Sequence, residues 1–356
     1  MFKHITTIIA AFMISACATS ASNKTVSIDE MFSDYNDSTV PGAALLVMRN
    51  GRVITKRGFG TADFTNNIAV NADTNFRLAS VSKQFTALAV LQLVEKGDIS
   101  LSSRLNQFFP TFPKWSEHIT IKDMLRHTSG IVDYESLVPE SFVGQVVDAD
   151  VFNLLEDQDE IYFPAGLKYQ YSNSAYALLA LIVERVSGFR FSDYLAQNIF
   201  VPLGMNDTVA LDHSRHRVAN RAYGYALAED GSVELADQSK FSAVLGDGGI
   251  YSNLNDLELW INALRGGQLL NEPLQSEWLK DQKNNAGEDI NYGYGWRLEE
   301  INNIRATYHT GISRGFRNVL YRVPDRELTV VILTNRTTDG PFTPLQMARM
   351  IVEMEL

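Results

Sequence analysis

Apolar and polar positions divide the chain into three stretches of different rhythm. In the first, residues 41–60 read PGAALLVMRNGRVITKRGFG, two apolar runs around Asn50-Gly51. That dipeptide between such runs is the strongest short hairpin signal, so an antiparallel sheet begins here. Ahead of it, Val26 to Tyr35 reads as a short helix. From Ser80 to Lys96, Val81, Phe85, Leu88, Ala89 and Leu93 recur with helical period, and Gly97 stands where a C-terminal cap belongs. Residues 100–240 read mostly as helices and long loops, including ITIKDMLRHTSG and SNSAYALLALIVERVSG, whose apolar density predicts a buried helix ending at Gly188. Strand patterns return in NYGYGWRLEE, IRATYHTG and FRNVLYRVPDRELTVVILTN, the last a hairpin turning at Pro324-Asp325. Strands at both ends with helices between predict an α+β fold. In it, residues 26–99 and 241–356 form an α/β part whose early and late strands meet, and residues 100–240 form an inserted helical part.

Composition agrees with a folded domain: of 356 residues, 45% are hydrophobic and 21% charged. The formal net charge is -11, and no Lys/Arg run exceeds two residues, which argues against a nucleic-acid partner. The amino terminus departs from the rest. After MFKH come twelve residues without a charge, too few to span a bilayer and suited to a signal peptide over residues 1–16. Ile14-Ser15-Ala16-Cys17 resembles the lipobox of bacterial lipoproteins. Cys17, the chain's one cysteine, would then carry the lipid that holds an exported protein on the periplasmic face of a membrane, with residues 17–25 as a small, polar tether. The competing reading is cleavage after Ala18, which releases a soluble protein.

One lysine lies near two serines in Ser80-Val81-Ser82-Lys83. Residues three apart share a helical face and neighbours do not, so Lys83 meets the Ser80 hydroxyl and not that of Ser82. A simple helix cap at Ser80 would favour Glu or Gln at 83, and a lysine there sits poorly with the helix dipole. A lysine beside a serine hydroxyl can instead take its proton and leave a nucleophile. S-x-x-K alone is a weak signal and needs partners. Tyr-x-Asn occurs twice. Tyr171-Ser172-Asn173 stands at the mouth of the long apolar helix, whereas Tyr251-Ser252-Asn253 precedes NDLELW and reads as a cap. Tyr171 and Asn173 are therefore the candidates. A third element, His309-Thr310-Gly311, ends a strand pattern, where a glycine lets a substrate approach the strand edge.

In this order the three elements resemble the motifs of the serine β-lactamase and D-alanyl-D-alanine carboxypeptidase superfamily, closest to its class C-like branch. PGAALLV, FRLASVSKQFTA, LRHTSGI, FPAG before YSN, GDGGIYS, YGYGW, HTG and LTVVILTN extend the resemblance over about residues 40 to 336. It implies a serine hydrolase without cofactor or metal, in which Ser80 forms an acyl-enzyme that water releases. Lys83 and Tyr171 would share the proton work. Asn173 would orient Lys83 and the substrate amide, His309, Thr310 and Gly311 would line the substrate, and the N–H groups of Ser80 and Ile312 would form the oxyanion hole.

One departure bears on the substrate. Members that open β-lactams or trim D-Ala-D-Ala usually carry lysine where His309 stands, and a neutral imidazole offers a substrate carboxylate less charge. The resemblance therefore favours an esterase or D-aminopeptidase, ahead of a β-lactamase or carboxypeptidase. The reading of another class is a lipoprotein sensor that is acylated without turnover. Arg314 or Arg317 would restore a cation if either faced the site. Gly311-Ile312-Ser313-Arg314-Gly315 fits the G-x-S-x-G elbow of α/β-hydrolases. However, a strand pattern follows it and no histidine lies beyond His309, so Ser313 reads as a bystander. His213 and His216 lack supporting ligands for a metal, and His127 reads as structural.

Overall fold

The computed structural model describes residues 26–212, 214–267, 269–301, 303–338 and 340–356. The predicted leader, tether and Cys17, and His213 of the histidine pair, lie outside the described residues.

Six strands form the main antiparallel sheet: β1 (Ala43–Arg49), β2 (Arg52–Phe59), β3 (Arg297–Ile301), β4 (Ile304–Ser313), β5 (Phe316–Val323) and β6 (Leu328–Thr334). Their order is β3-β4-β5-β6-β1-β2. Early and late strands meet where β1 pairs with β6, with Leu46 opposite Val331. Asn50 and Gly51 both take positive φ, as a tight turn of this hand requires, and the β5–β6 link turns at Pro324–Arg326.

AALLVM is apolar throughout, without alternation, because both faces of β1 are covered. Ala44, Leu46 and Met48 join one core, and Ala43, Leu45 and Val47 join the other. Edge strand β2 instead exposes Arg52 and Arg57, charges that discourage pairing with another chain. The first core packs the sheet against helices α1 (Lys83–Lys96), α2 (Asp148–Glu156), α3 (Asn173–Ser187), α4 (Leu254–Gly266) and α5 (Glu272–Leu279). The second lies beneath α6 (Pro344–Glu355), with Met347 and Ile351 on Val319 and Ile332, and beneath Phe32 of the amino-terminal segment.

Gly97 and Gly188 end α1 and α3 in the left-handed conformation, as predicted. The amino-terminal helix is shorter than the pattern suggests, a capped turn at Ile28–Met31 followed by a 3₁₀ turn at Ser33–Tyr35. Residues 100–240 also hold short strands that the pattern does not reveal. Tyr225–Leu227 pairs with Val233–Leu235, and Val209–Ala210 joins Ile250–Ser252 and Phe76–Arg77 in a small sheet. Runs of two or three residues are too short to show a period of two.

Candidate active site

Ser80 does not begin the α-helix. It lies in a 3₁₀ turn, Ala79–Ser82, from which α1 continues at Lys83. Ala79 is held at φ +50, a conformation costing an L-residue on the order of 1–3 kcal/mol, so the surroundings must hold the turn. They do so through backbone groups: Asn318 donates its side-chain amide to the Arg77 carbonyl at 2.8 Å, and the Leu78 N–H donates to the Ile250 carbonyl at 2.8 Å. The Ser82 hydroxyl faces the same segment and accepts the Ile250 N–H at 3.2 Å, a structural use that removes it from the cleft.

Lys83 is fully buried. Its Nζ lies 3.2 Å from Ser80 Oγ, 2.9 Å from Asn173 Oδ1 and 2.7 Å from the Asp247 carbonyl oxygen. Three acceptors, drawn from the 3₁₀ turn, the start of α3 and the short Leu245–Gly248 helix, thus surround one amine. The Ser172 hydroxyl caps α3 by accepting the Ala175 N–H, which presents Asn173 in its first turn. The Tyr171 ring lies under the lysine, with Nζ 4.9 Å from its centroid, and its hydroxyl is buried without a hydrogen-bond partner. His127 backs that ring at 4.3 Å and accepts the Ser172 N–H at Nδ1. Burial, then Lys83, hold its pKa well below the usual histidine range, so it is a neutral support.

His309 is also buried, and it does not line the cleft. Its Nδ1 lies 2.7 Å from the Thr310 carbonyl oxygen, which can only accept, so Nδ1 carries the proton. Its Nε2 then accepts from the Tyr292 hydroxyl at 3.0 Å. Both nitrogens are satisfied in a neutral ring, and burial, Arg297 and Lys83 hold the pKa well below the usual range. Gly311 meets the Ser80 turn directly: a Cβ there would lie 2.0 Å from the Leu78 carbonyl oxygen. Thr310 is half-buried, and Ile312 is 65% exposed at the cleft. The hairpin turn after Ser313 leads straight into β5, which excludes the strand-to-helix elbow. The Tyr251 hydroxyl bonds with Arg221 and Gln238, and Asn253 caps α4, as expected for the second Tyr-x-Asn.

The cleft in front of Ser80 measures about 240 Å³. Its acidic side holds Glu135 at the mouth and Asp247 within. Glu135 accepts from the Asn173 amide at 3.3 Å, and desolvation followed by Asp133 and Asp247 raises its pKa. Burial pushes Asp247 up to about 6, against the pull of Lys83 and of the Tyr134 hydroxyl that donates to it at 3.0 Å. Arg77 and Arg314 also line the cleft, whereas Arg317 donates to the Ser313 and Phe316 carbonyls. Glu135, Asp247 and Arg77 are residues the motifs do not single out. They lie in DYES, GDGG and FRLAS, but nothing in those strings says which side chain turns inward.

The Asp247 turn is itself anchored by a buried carboxylate. Asp148, at the start of α2, accepts the Leu245 and Gly246 N–H groups at 2.8 and 3.0 Å, and desolvation pushes its pKa up to about 7. Because that lies above the ordinary 3.8, the native chain keeps a proton that the unfolded chain releases between about pH 4 and pH 7. The resulting stability is full below about pH 4 and is lost as pH rises through about 7. Calorimetry should therefore show a wild-type midpoint that falls across this window more steeply than that of Asp148→Asn. Parallel slopes would refute the assignment.

The Beta-lactamase family model matches residues 28–351. The chain is 28% identical over 334 residues to penicillin-binding protein 4* of Bacillus subtilis, covering 90% of this chain and 74% of that protein. It is 27% identical over 321 residues to the protein flp of Staphylococcus aureus, covering 86% of this chain and 62% of that protein, so it spans less than two thirds of flp. The crystal structure of D-amino acid amidase from Ochrobactrum anthropi SV3 superposes with a TM-score of 0.76 at 22% identity, over 91% of this chain and 97% of that one, which shows a shared fold.

Proposed function

The chain belongs to the beta-lactamase family and is a serine hydrolase, and from that premise we propose that Ser80 attacks esters or amides bearing a free amine, of the D-amino-acid type. The observation that carries this reading is the Lys83 amine, buried and held by Asn173 and the Asp247 carbonyl within 3.2 Å of Ser80 Oγ. As Oγ adds to the substrate carbonyl, its proton passes to Lys83 Nζ, 3.2 Å away. The N–H groups of Ser80 and Ile312 receive the developing oxyanion. Lys83 returns the proton through the Tyr171 hydroxyl to the leaving amine or alcohol, and the acyl-enzyme remains. Water then adds to the acyl carbon by the same groups in reverse and restores Ser80. Lys83 acts as the base in this scheme because it already touches Oγ, whereas the Tyr171 hydroxyl has no bonded partner.

The substrate preference follows from charge. With H-T-G at 309–311, the chain fits the class C-like members in which the lysine cation is absent, and a neutral, doubly bonded His309 supplies none. Glu135 and Asp247 on the cleft wall suit an ammonium group. Arg314 and Arg77 in the same cleft support a second reading, a substrate with a terminal carboxylate such as a D-Ala-D-Ala peptide or a β-lactam. A turnover panel of D-alanine p-nitroanilide, p-nitrophenyl acetate and a chromogenic cephalosporin separates the two. Glu135→Gln should raise KM for the anilide by about tenfold or more, and leave the acetate ester within about twofold. Preference for the cephalosporin, with the anilide indifferent to Glu135, would sink the amine reading in favour of the second.

A further inference from the structure

The sheet face beneath α4 and α5 carries polar groups that the active site does not use. Register sets Thr307, Arg322, Thr329 and Met48 side by side across β4, β5, β6 and β1. Arg322 is 6% exposed and its Nη1 has no hydrogen-bond partner. No carboxylate among the described residues pairs with it, and desolvation alone lowers its pKa to about 10. Buried arginines are paired as a rule, so this one is unusual. Its guanidinium carbon lies 5.6 Å from the Trp296 ring centroid. Nearby, Thr307 Oγ1, Trp296 Nε1 and both amide atoms of Gln275 are likewise buried without partners.

Arg322, Thr329 and Gln275 line a cavity of about 290 Å³. Met48, Ile261, Leu264 and Leu279 give it an apolar side, and Arg265 and Glu327 also line it. The acid at its rim, Glu327, is taken by Arg265 at 2.8 Å. A single buried guanidinium, flanked by amide and hydroxyl groups, suits one planar monoanion. The apolar wall suits a hydrocarbon, and the volume is near the lower end of ligand pockets, roughly 300–1,000 Å³. We infer that this cavity binds a small amphipathic monocarboxylate, with Arg322 pairing the carboxylate and the Met48, Ile261, Leu264 and Leu279 wall holding the short chain. The cavity shares no lining residue with the Ser80 cleft, so the inference stands apart from the substrate reading above.

The test titrates octanoate, butanoate and 1-octanol against the full chain, followed by calorimetry and by tryptophan emission, since the Trp296 ring lies 5.6 Å from the Arg322 guanidinium carbon. Octanoate should saturate one site, with butanoate about tenfold weaker or more and octanol without effect. Arg322→Met should weaken octanoate by at least about tenfold. Leu264→Trp, which fills the apolar side from the opposite wall, should do the same while leaving ester hydrolysis within about twofold. It keeps the test decisive should Arg322→Met not fold. The inference is overturned if octanoate binding survives Leu264→Trp or a folded Arg322→Met unchanged, or if octanol binds as well as octanoate. Absence of saturable binding up to roughly 10 mM, as for a cavity holding only solvent, overturns it too.

Discussion

Ser80→Ala should lower kcat/KM for p-nitrophenyl acetate by about 10⁴-fold or more, to the level that binding and oxyanion stabilisation sustain without a nucleophile. Neighbouring hydroxyls among the described residues are engaged elsewhere or lack a base: Ser82 accepts the Ile250 N–H, Ser242 accepts the Ser239 N–H, and Ser313 has no base bonded to its hydroxyl. Lys83→Met should cost about 10³-fold in kcat, the middle of the range for positioned acid–base groups. Methionine matches the lysine stem but leaves Asn173 Oδ1 and the Asp247 carbonyl without their donor, so the thermal midpoint should fall by the equivalent of about 1–3 kcal/mol. Steady-state kinetics and calorimetry on both variants check this. Retention of a tenth of wild-type turnover by either variant would remove the residue it replaces from the chemistry.

Gly311→Ala tests the join between sheet and cleft. The added methyl would lie 2.0 Å from the Leu78 carbonyl oxygen and 3.3 Å from Val81 Cγ2. A carbonyl two residues before Ser80 cannot yield as the tip of a flexible side chain does, because Ala79 already holds a strained φ of +50 and Leu78 is tied to Ile250. β4 must therefore separate from the Ser80 turn by about 1 Å, and a displacement of that size costs roughly 10²-fold in rate. The expected result is a kcat about a hundredfold lower, with a stability loss of about 1–3 kcal/mol for overpacking. A variant with normal kcat would mean that Ser80 and the Ile312 N–H need no such alignment. Glycine at this position thus answers first to packing against Leu78, before any substrate lies along the strand.

Much of this arrangement is legible in local sequence because it depends on local rules. The Asn50-Gly51 hairpin, the glycine-ended helices and the choice of Ser80 over Ser82 follow from turn chemistry and from three-residue spacing. A 3₁₀ turn satisfies that spacing as well as an α-helix does, so Lys83 reaches Ser80 although the helix begins later than predicted. The short strands at Val209–Ala210 and Tyr225–Leu227 escape notice because they are shorter than the period that would reveal them.

By itself the sequence determined the sheet's composition, the ends of the long helices, the acidic balance, and the set of residue types available for chemistry: a serine with a lysine three positions on, a tyrosine with an asparagine two positions on, and a histidine before Thr-Gly. Only the tertiary structure decided what those residues touch. Lys83 takes its third acceptor from the backbone of Asp247, 164 positions away, and a carbonyl has no residue-type signature. His309 is fixed as a neutral ring by Tyr292 and its neighbour's carbonyl, so its identity as histidine says less about charge than its burial does. Arg322 reads in sequence as one more strand cation; its isolation follows from strands and helices that meet over it across the fold. Spacing rules act within a few residues, whereas desolvation and pairing depend on which distant segments close over a group, and those are settled only when the chain has folded.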